Sequence, residues 1–305
     1  MITHRTFGYT GVDVSILGIG GYHLGSVKTQ TEAIRIVHEA IDRGINFFDN
    51  AWDYHDGKAE ERMGKALKGR RHEVLLMTRV CTHGRDKKTG MRQLHQSLKR
   101  LQTDHLDVWQ IHEVIYANEP SIYFRPGGAV EALEEAKRAG KVRFIGFTGH
   151  KDPAIHLEML SHEFPFDTCQ LPLNCFDAGF RSFEQRVLPE LHRQRITPIG
   201  MKSLGGEGIP IKKRAVKVAD ALRYAMSLPV GTTVSGIDSM KVLLQNLRIA
   251  TNFQPMREDE MRALRQQTAE NAADGHFELY KTSMKNDGPE GRRVHGIPSE
   301  EEMTA

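Results

Sequence analysis

Cysteine is scarce in this chain: only Cys81, Cys169 and Cys175 occur in 305 residues, and no two form a CxxC pair. That excludes a disulfide framework or a zinc ribbon and leaves free thiols in a reducing cytoplasm as the expectation. An excess of one charge sign is missing too, since 42 basic against 39 acidic residues leave a net charge of +3. Nothing in that balance calls for nucleic acid or an anionic membrane as a partner. No apolar run reaches the roughly 18 residues of a membrane span and no signal-like leader opens the sequence, so no membrane partner and a cytoplasmic location are expected. Linkers and low-complexity runs are also lacking, which favours one domain over residues 1–305.

What is present is alternation. Short apolar strands fall near Leu17–Gly20, Asn46–Asp49, Val74–Thr78, Leu106–Ile111, Phe144–Phe147, Thr168–Leu171, Pro198–Met201 and Thr232–Gly236. An amphipathic segment follows each, from Glu32–Arg43 through Met91–Leu101 and Phe183–Arg193 to Met240–Ala250. Eight of each in strict order predict an α/β protein, a (β/α)8 TIM barrel rather than an open sheet. In the first of these helices Ala33, Ile36, Val37, Ala40 and Ile41 share one face, with Thr31 as the expected N-cap. Ahead of the barrel, Arg5–Gly8 and Asp13–Ile16 flank a turn and predict a β-hairpin that plugs the floor. Behind it, about 262–305 is polar, and predicts a lid over the barrel mouth or a partly disordered tail.

Chemistry gathers at the strand ends, where barrel enzymes keep it. Asp49 closes the second strand, Tyr54 follows five residues later on the loop, Arg79 closes the third strand and His112 the fourth. Each alone has a plain structural explanation, as a salt bridge or a packed aromatic. Four at successive strand ends, in this order, outweigh that explanation. With this set the chain resembles the aldo-keto reductases, whose motif is Asp-x-x-x-x-Tyr, then a Lys at the next strand end and a His at the one after. One position departs from the motif: the family Lys is Arg79 here.

The resemblance implies reduction of an aldehyde or ketone by hydride from a nicotinamide cofactor. Tyr54 would be the general acid, Arg79 the cation that lowers its pKa, Asp49 the partner of Arg79, and His112 the group that orients the carbonyl. Arg keeps the positive charge but cannot relay a proton as Lys can. By the same resemblance Thr148 and Gln170 would hold the carboxamide and Met201 would face the nicotinamide ring. Lys202, Ser203, Leu204 and Gly206 would form the pyrophosphate turn, Gly236 and Asp238 the phosphate end of the last strand, and Asn246 the adenine contact. NADP(H) is favoured by family habit, with NAD(H) the alternative because acidic Asp238 repels a 2′-phosphate. A small-molecule carbonyl is the expected partner, and the oligomeric state is left open.

Substrate contacts are assigned to Tyr22, Trp52, Cys81, His83 and Asn174, with Glu113–Gly128 as the specificity loop. His23, His83, His112 and His150 lack HxH or HExxH spacing, so no metal site is expected. Two other readings stay open: a cofactor-binding regulatory subunit like the potassium-channel β subunits, and a metal-dependent barrel hydrolase.

Overall fold

The computed structural model describes residues 2–83 and 85–298. Strands β1 (His4–Thr6) and β2 (Asp13–Ser15) pair antiparallel as the hairpin. Eight further strands are all parallel: β3 (Leu17–Gly20), β4 (Phe47–Asp49), β5 (Leu75–Val80), β6 (Leu106–Ile111), β7 (Val142–Thr148), β8 (Thr168–Pro172), β9 (Thr197–Met201) and β10 (Thr232–Gly236). They pair in sequence order, and β10 closes onto β3 with Thr233 opposite Leu17. The chain is a (β/α)8 barrel.

Two apolar cores follow from the period of two along each strand. Outward residues such as Phe48, Leu76, Trp109, Ile145 and Leu171 pack against the surrounding helices. Inward residues Phe47, Leu75, Met77, Val108, Phe144, Ile199 and Val234 fill the barrel, and Phe7 and Val14 of the hairpin join them. The Phe7 ring lies 5.5 Å from Phe47 and 6.3 Å from Phe144, so the hairpin does plug the floor. Glycine makes room there. A Cβ on Gly18 would stand 2.9 Å from Phe47 Cδ1, and one on Gly231 2.7 Å from Phe7 Cδ2.

The helices differ from expectation mainly at their ends. The first long one, Gln30–Asp42, is capped by Thr29 rather than Thr31, because Thr29 is extended and its hydroxyl accepts from Glu32 N–H. Lys87–Leu101 starts a turn earlier than read, behind the Asp86 cap. Phe183–Arg186 and Leu188–Arg193 are two short helices, broken where Pro189 begins the second. The tail is ordered through residue 298 and carries helices Glu258–Ala272, Leu279–Thr282 and Pro289–Val294; its last residues, 299–305, lie outside the described ones. No helix among the described residues is long and apolar enough to cross a membrane.

Candidate active site

The strand period that makes the floor apolar also builds the mouth. On β4 Phe47 faces in and Asp49 follows two residues later; on β5 Leu75 and Met77 precede Arg79; on β6 Val108 and Gln110 precede His112. Asp49, Arg79 and His112 are thus buried at one end of one barrel. Tyr54 arrives on the β4 loop, held by a turn in which His55, Asp56 and Gly57 are all left-handed, with φ of 52°, 56° and 87°. Two non-glycine residues in that region cost about 1 kcal/mol or more each. Packing compensates: His55 Nε2 lies 2.8 Å from Tyr22 O, and Gly57 passes so close to Arg100 that a Cβ would stand 2.3 Å from its Cζ.

Arg79 is the hub of the site. Its Nη1 donates to Tyr54 Oη at 2.9 Å, and its Nη2 donates both to Asp49 Oδ2 and, at 2.5 Å, to Gln170 Oε1. Gln170 Nε2 reaches back to Asp49 Oδ2 at 3.3 Å. Gln170 was expected at the nicotinamide carboxamide; here the two-pronged guanidinium draws it into the ion pair. Burial pushes the Tyr54 phenol up, Arg79 opposes this, and Asp49, Asp53 and Glu113 add to the rise. The expected lowering by Arg79 is therefore outweighed. Tyr54 keeps its proton through neutral pH.

His112 has partners that the strand-end pattern did not reveal. Its Nδ1 lies 3.3 Å from Cys81 Sγ and 3.3 Å from Asp53 Oδ1, while its ring meets Tyr54 edge-on at 5.6 Å. Burial pushes the Asp53 carboxyl up, but the charge and hydrogen bonding of His112 more than offset it and hold it below the usual range. Burial, reinforced by Asp53, keeps the Cys81 thiol well above its ordinary value, so Cys81 is a packed thiol and not a nucleophile. Asp53 adjoins Tyr54 in sequence, and that adjacency was its one signal; Glu113, next to His112, opens the expected specificity loop.

The proposed nucleotide residues lie together along the ends of β7 to β10. Thr148 ends β7, buried, and Met201 ends β9, half-buried. Lys202, Gly205, Gly206 and Gly208 all have positive φ, so the chain coils tightly past Ser203 and Leu204. The half-buried Lys202 ammonium stands 5.1 Å from the Tyr280 ring, and burial pushes its pKa down to about 8 against the pull of Glu113. Gly236 leaves only enough room for the His23 ring, since a Cβ would fall 2.4 Å from Nδ1. Asp238 is exposed and accepts from Ser239 Oγ at 3.1 Å, and Ser239 caps helix Met240–Thr251. Asn246 is not exposed: its Nδ2 donates to Ser235 Oγ at 3.1 Å and its Oδ1 is buried without a hydrogen-bond partner.

The tail claims several residues assigned to substrate. Asn174 Nδ2 donates to Tyr280 Oη and Glu278 Oε1, each at 3.0 Å. The buried Lys281 ammonium pairs with Asp177 at 2.8 Å and Glu278 at 2.9 Å. His83 is buried rather than lining a pocket: its Nδ1 lies 2.9 Å from Glu119 Oε1, which His295 of the tail also approaches at 3.2 Å. Gly288 N donates to Glu113 Oε1, and a Cβ there would stand 3.3 Å from Asp53 Oδ2. Through these contacts the tail packs against residues at the strand ends. Trp52 turns away from the mouth, its Nε1 donating to Gln96 on helix Lys87–Leu101 at 2.8 Å and its ring lying under Arg100. Tyr22, by contrast, is exposed and meets Tyr54 edge-on at 5.3 Å, where an incoming molecule would touch it.

A parallel barrel with a buried Asp, cation and His and a half-buried Tyr at its carboxyl end defines a class of carbonyl-reducing enzymes. Residues 16–217 match the aldo/keto reductase family, and the chain belongs to it and is an oxidoreductase. A 6-dehydroglucose reductase of Novosphingobium aromaticivorans is 30% identical over 76% of this chain and 79% of its own length. An L-galactose dehydrogenase of Arabidopsis thaliana is 34% identical, over 48% of each chain. This chain spans less than half of that relative. Among solved structures, an aldo-keto reductase of Klebsiella pneumoniae in complex with NADPH superposes with a TM-score of 0.69 at 23% identity, covering 88% of this chain and 96% of that one.

Proposed function

We propose that the chain reduces a polyhydroxylated, sugar-derived aldehyde or ketone with a reduced nicotinamide, NADPH first and NADH second, and that Tyr54 is the general acid. The observation that carries this reading is the bond from Arg79 Nη1 to Tyr54 Oη. The guanidinium occupies a lone pair of the phenol oxygen, so the hydroxyl hydrogen is turned away from it and is free for a carbonyl oxygen. Asp49 and Gln170 hold the guanidinium in place. As the carbonyl oxygen gains charge, Tyr54 delivers its proton to it and Arg79 stabilises the phenolate left behind. When bound, the reduced nicotinamide supplies the hydride.

The residues fit such a cofactor. Lys202 and the left-handed turn of Gly205 and Gly206 suit a pyrophosphate, and helix Met240–Thr251 presents its amino end nearby. A relative of the same fold holds NADPH. A hydroxyl-rich substrate is supported by Tyr116 Oη, buried without a hydrogen-bond partner, and by Glu113, next to His112. The two relatives named for sugar chemistry support the same class.

The test follows NADPH and NADH absorbance with sugar-derived aldehydes and ketones beside 4-nitrobenzaldehyde, with Tyr54→Phe as control. Faster turnover of the sugar-derived carbonyls, lost in Tyr54→Phe, is the expected result. Turnover of 4-nitrobenzaldehyde alone would remove the sugar assignment, and no consumption of either cofactor would remove the reading altogether.

A further inference from the structure

We propose that Asp53 is a positioning residue: its carboxylate holds a proton on His112 Nδ1 and thereby commits Nε2 to the reacting oxygen. The inference rests on the carbonyl-reductase reading above and adds a second carboxylate to it. Asp53 Oδ1 is buried without a standard hydrogen bond; His112 Nδ1 lies 3.3 Å from it, and the Cys81 thiol is the other ionisable group beside it. An ionised carboxylate facing a bare ring nitrogen would set two acceptors against each other, which burial makes costly. The contact is favourable only with hydrogen on Nδ1. Cys81 Sγ, 3.3 Å from the same nitrogen, is a competing partner, but a protonated thiol is only a weak donor and yields to the charged carboxylate.

The consequence lies at the opposite corner of the ring. With Nδ1–H fixed, a neutral His112 offers Nε2 as a lone pair and suits a substrate hydroxyl, the form met in alcohol oxidation. Carbonyl reduction needs a donor at Nε2, so the ring must carry a second proton, and Asp53 is the counter-ion that makes this tolerable. Arg79 with Asp49 and His112 with Asp53 then form two cation–carboxylate pairs, one on each side of Tyr54. Arg79 cannot relay a proton.

The full chain labelled with 15N-histidine tests this without any substrate. The His112 ring signals are assigned by their loss in His112→Gln, and their shifts and couplings report which nitrogens carry hydrogen. Hydrogen on Nδ1 is expected in the parent and its loss from Nδ1 in Asp53→Asn; a parent ring with Nδ1 bare overturns the proposal, whether or not the Asn variant folds. Kinetically, with dl-glyceraldehyde and NADPH, Asp53→Asn should lower kcat by about 10–100-fold, as loss of an orienting partner does, with cofactor affinity unchanged. Asp53→Glu, which restores the carboxylate, should recover part of it. An unchanged kcat in Asp53→Asn would overturn the role, whereas absence of turnover in the parent would count against the carbonyl-reductase reading and leave the 15N result to judge Asp53.

Discussion

The floor and the mouth of this barrel are built from the same strands and obey opposite rules. At the floor Phe7, Phe47 and Phe144 pack ring against ring with apolar neighbours. Two to four residues further along, the inward positions become Asp49, Gln110, Arg79, Thr148, Gln170 and His112, all buried and polar. Burying apolar rings stabilises the fold outright, whereas burying charge is repaid only if every partner is in place. The floor should therefore carry stability and the mouth chemistry, with little exchange between them.

Tyr54→Phe tests the mouth and should have the largest effect. Reduction should fall by about 10²–10⁴-fold, the range for one general acid, while NADPH affinity and unfolding midpoint stay put. A variant that retains most of its turnover would take Tyr54 out of the reaction. The reciprocal change is Phe47→Ala, which opens a hole beneath Phe7 and should cost about 3–5 kcal/mol in urea unfolding. Cofactor dissociation constants should not change. If Phe47→Ala instead lowers kcat in the folded protein, floor and mouth are mechanically coupled and the division is wrong.

That division was half legible in the sequence. Floor and strand ends could be read because the period of two is local and the Asp49-to-Tyr54 spacing fixes a loop. Asp53 escaped notice, and Glu113 was read only as the start of the specificity loop, because a carboxylate on a loop looks solvated until the tail covers it, and the tail was the part read least well. Its first helix, Glu258–Ala272, buries only Met261, Leu264, Thr268 and Ala272. That stripe has helical spacing but is too thin to stand out among polar residues. The surroundings of Asn174 and His83 were hidden for the same reason: Asn174 meets Tyr280, and Glu119, the partner of His83, meets His295, each across more than a hundred residues of sequence. A loop position likewise does not reveal which way the Trp52 indole turns.

Arg79 sharpens the comparison, since it is the mouth residue on which stability and chemistry meet. Arg79→Met strands Asp49 in the interior and should cost about 3–5 kcal/mol of stability along with most of the activity. Arg79→Lys keeps the charge and supplies what the family pattern has, so the reduction rate should hold or rise even though one bond to Gln170 or Asp49 is given up. Steady-state rates and urea midpoints of the two variants decide this. If Arg79→Lys is as inactive as Arg79→Met, the fork itself is required, and a carboxylate-bearing substrate becomes the first to try.

The smallest effect expected at the mouth is a pH dependence of cofactor binding through Lys202. Its folded-state pKa of about 8 lies below the ordinary 10.5, with burial as the leading cause. Below about 8 the ammonium is charged and attracts a pyrophosphate; above it the charge is lost. NADPH affinity should therefore weaken as pH rises through 8, by up to about tenfold for each pH unit passed. The stability of the free protein should move the other way. Between 8 and 10.5 the unfolded chain binds the proton that the folded chain has released, so this group's unfavourable contribution is relieved as pH rises across that window. Opposite signs for binding and stability are the mark of one half-buried base and not of general alkaline damage. Fluorescence titrations of NADPH at pH 7 and pH 9, beside thermal melts of the free protein, measure both. Lys202→Arg, charged throughout, should flatten the binding curve. If the variant and parent weaken in parallel, the pyrophosphate is held elsewhere and Lys202 serves the fold of its turn.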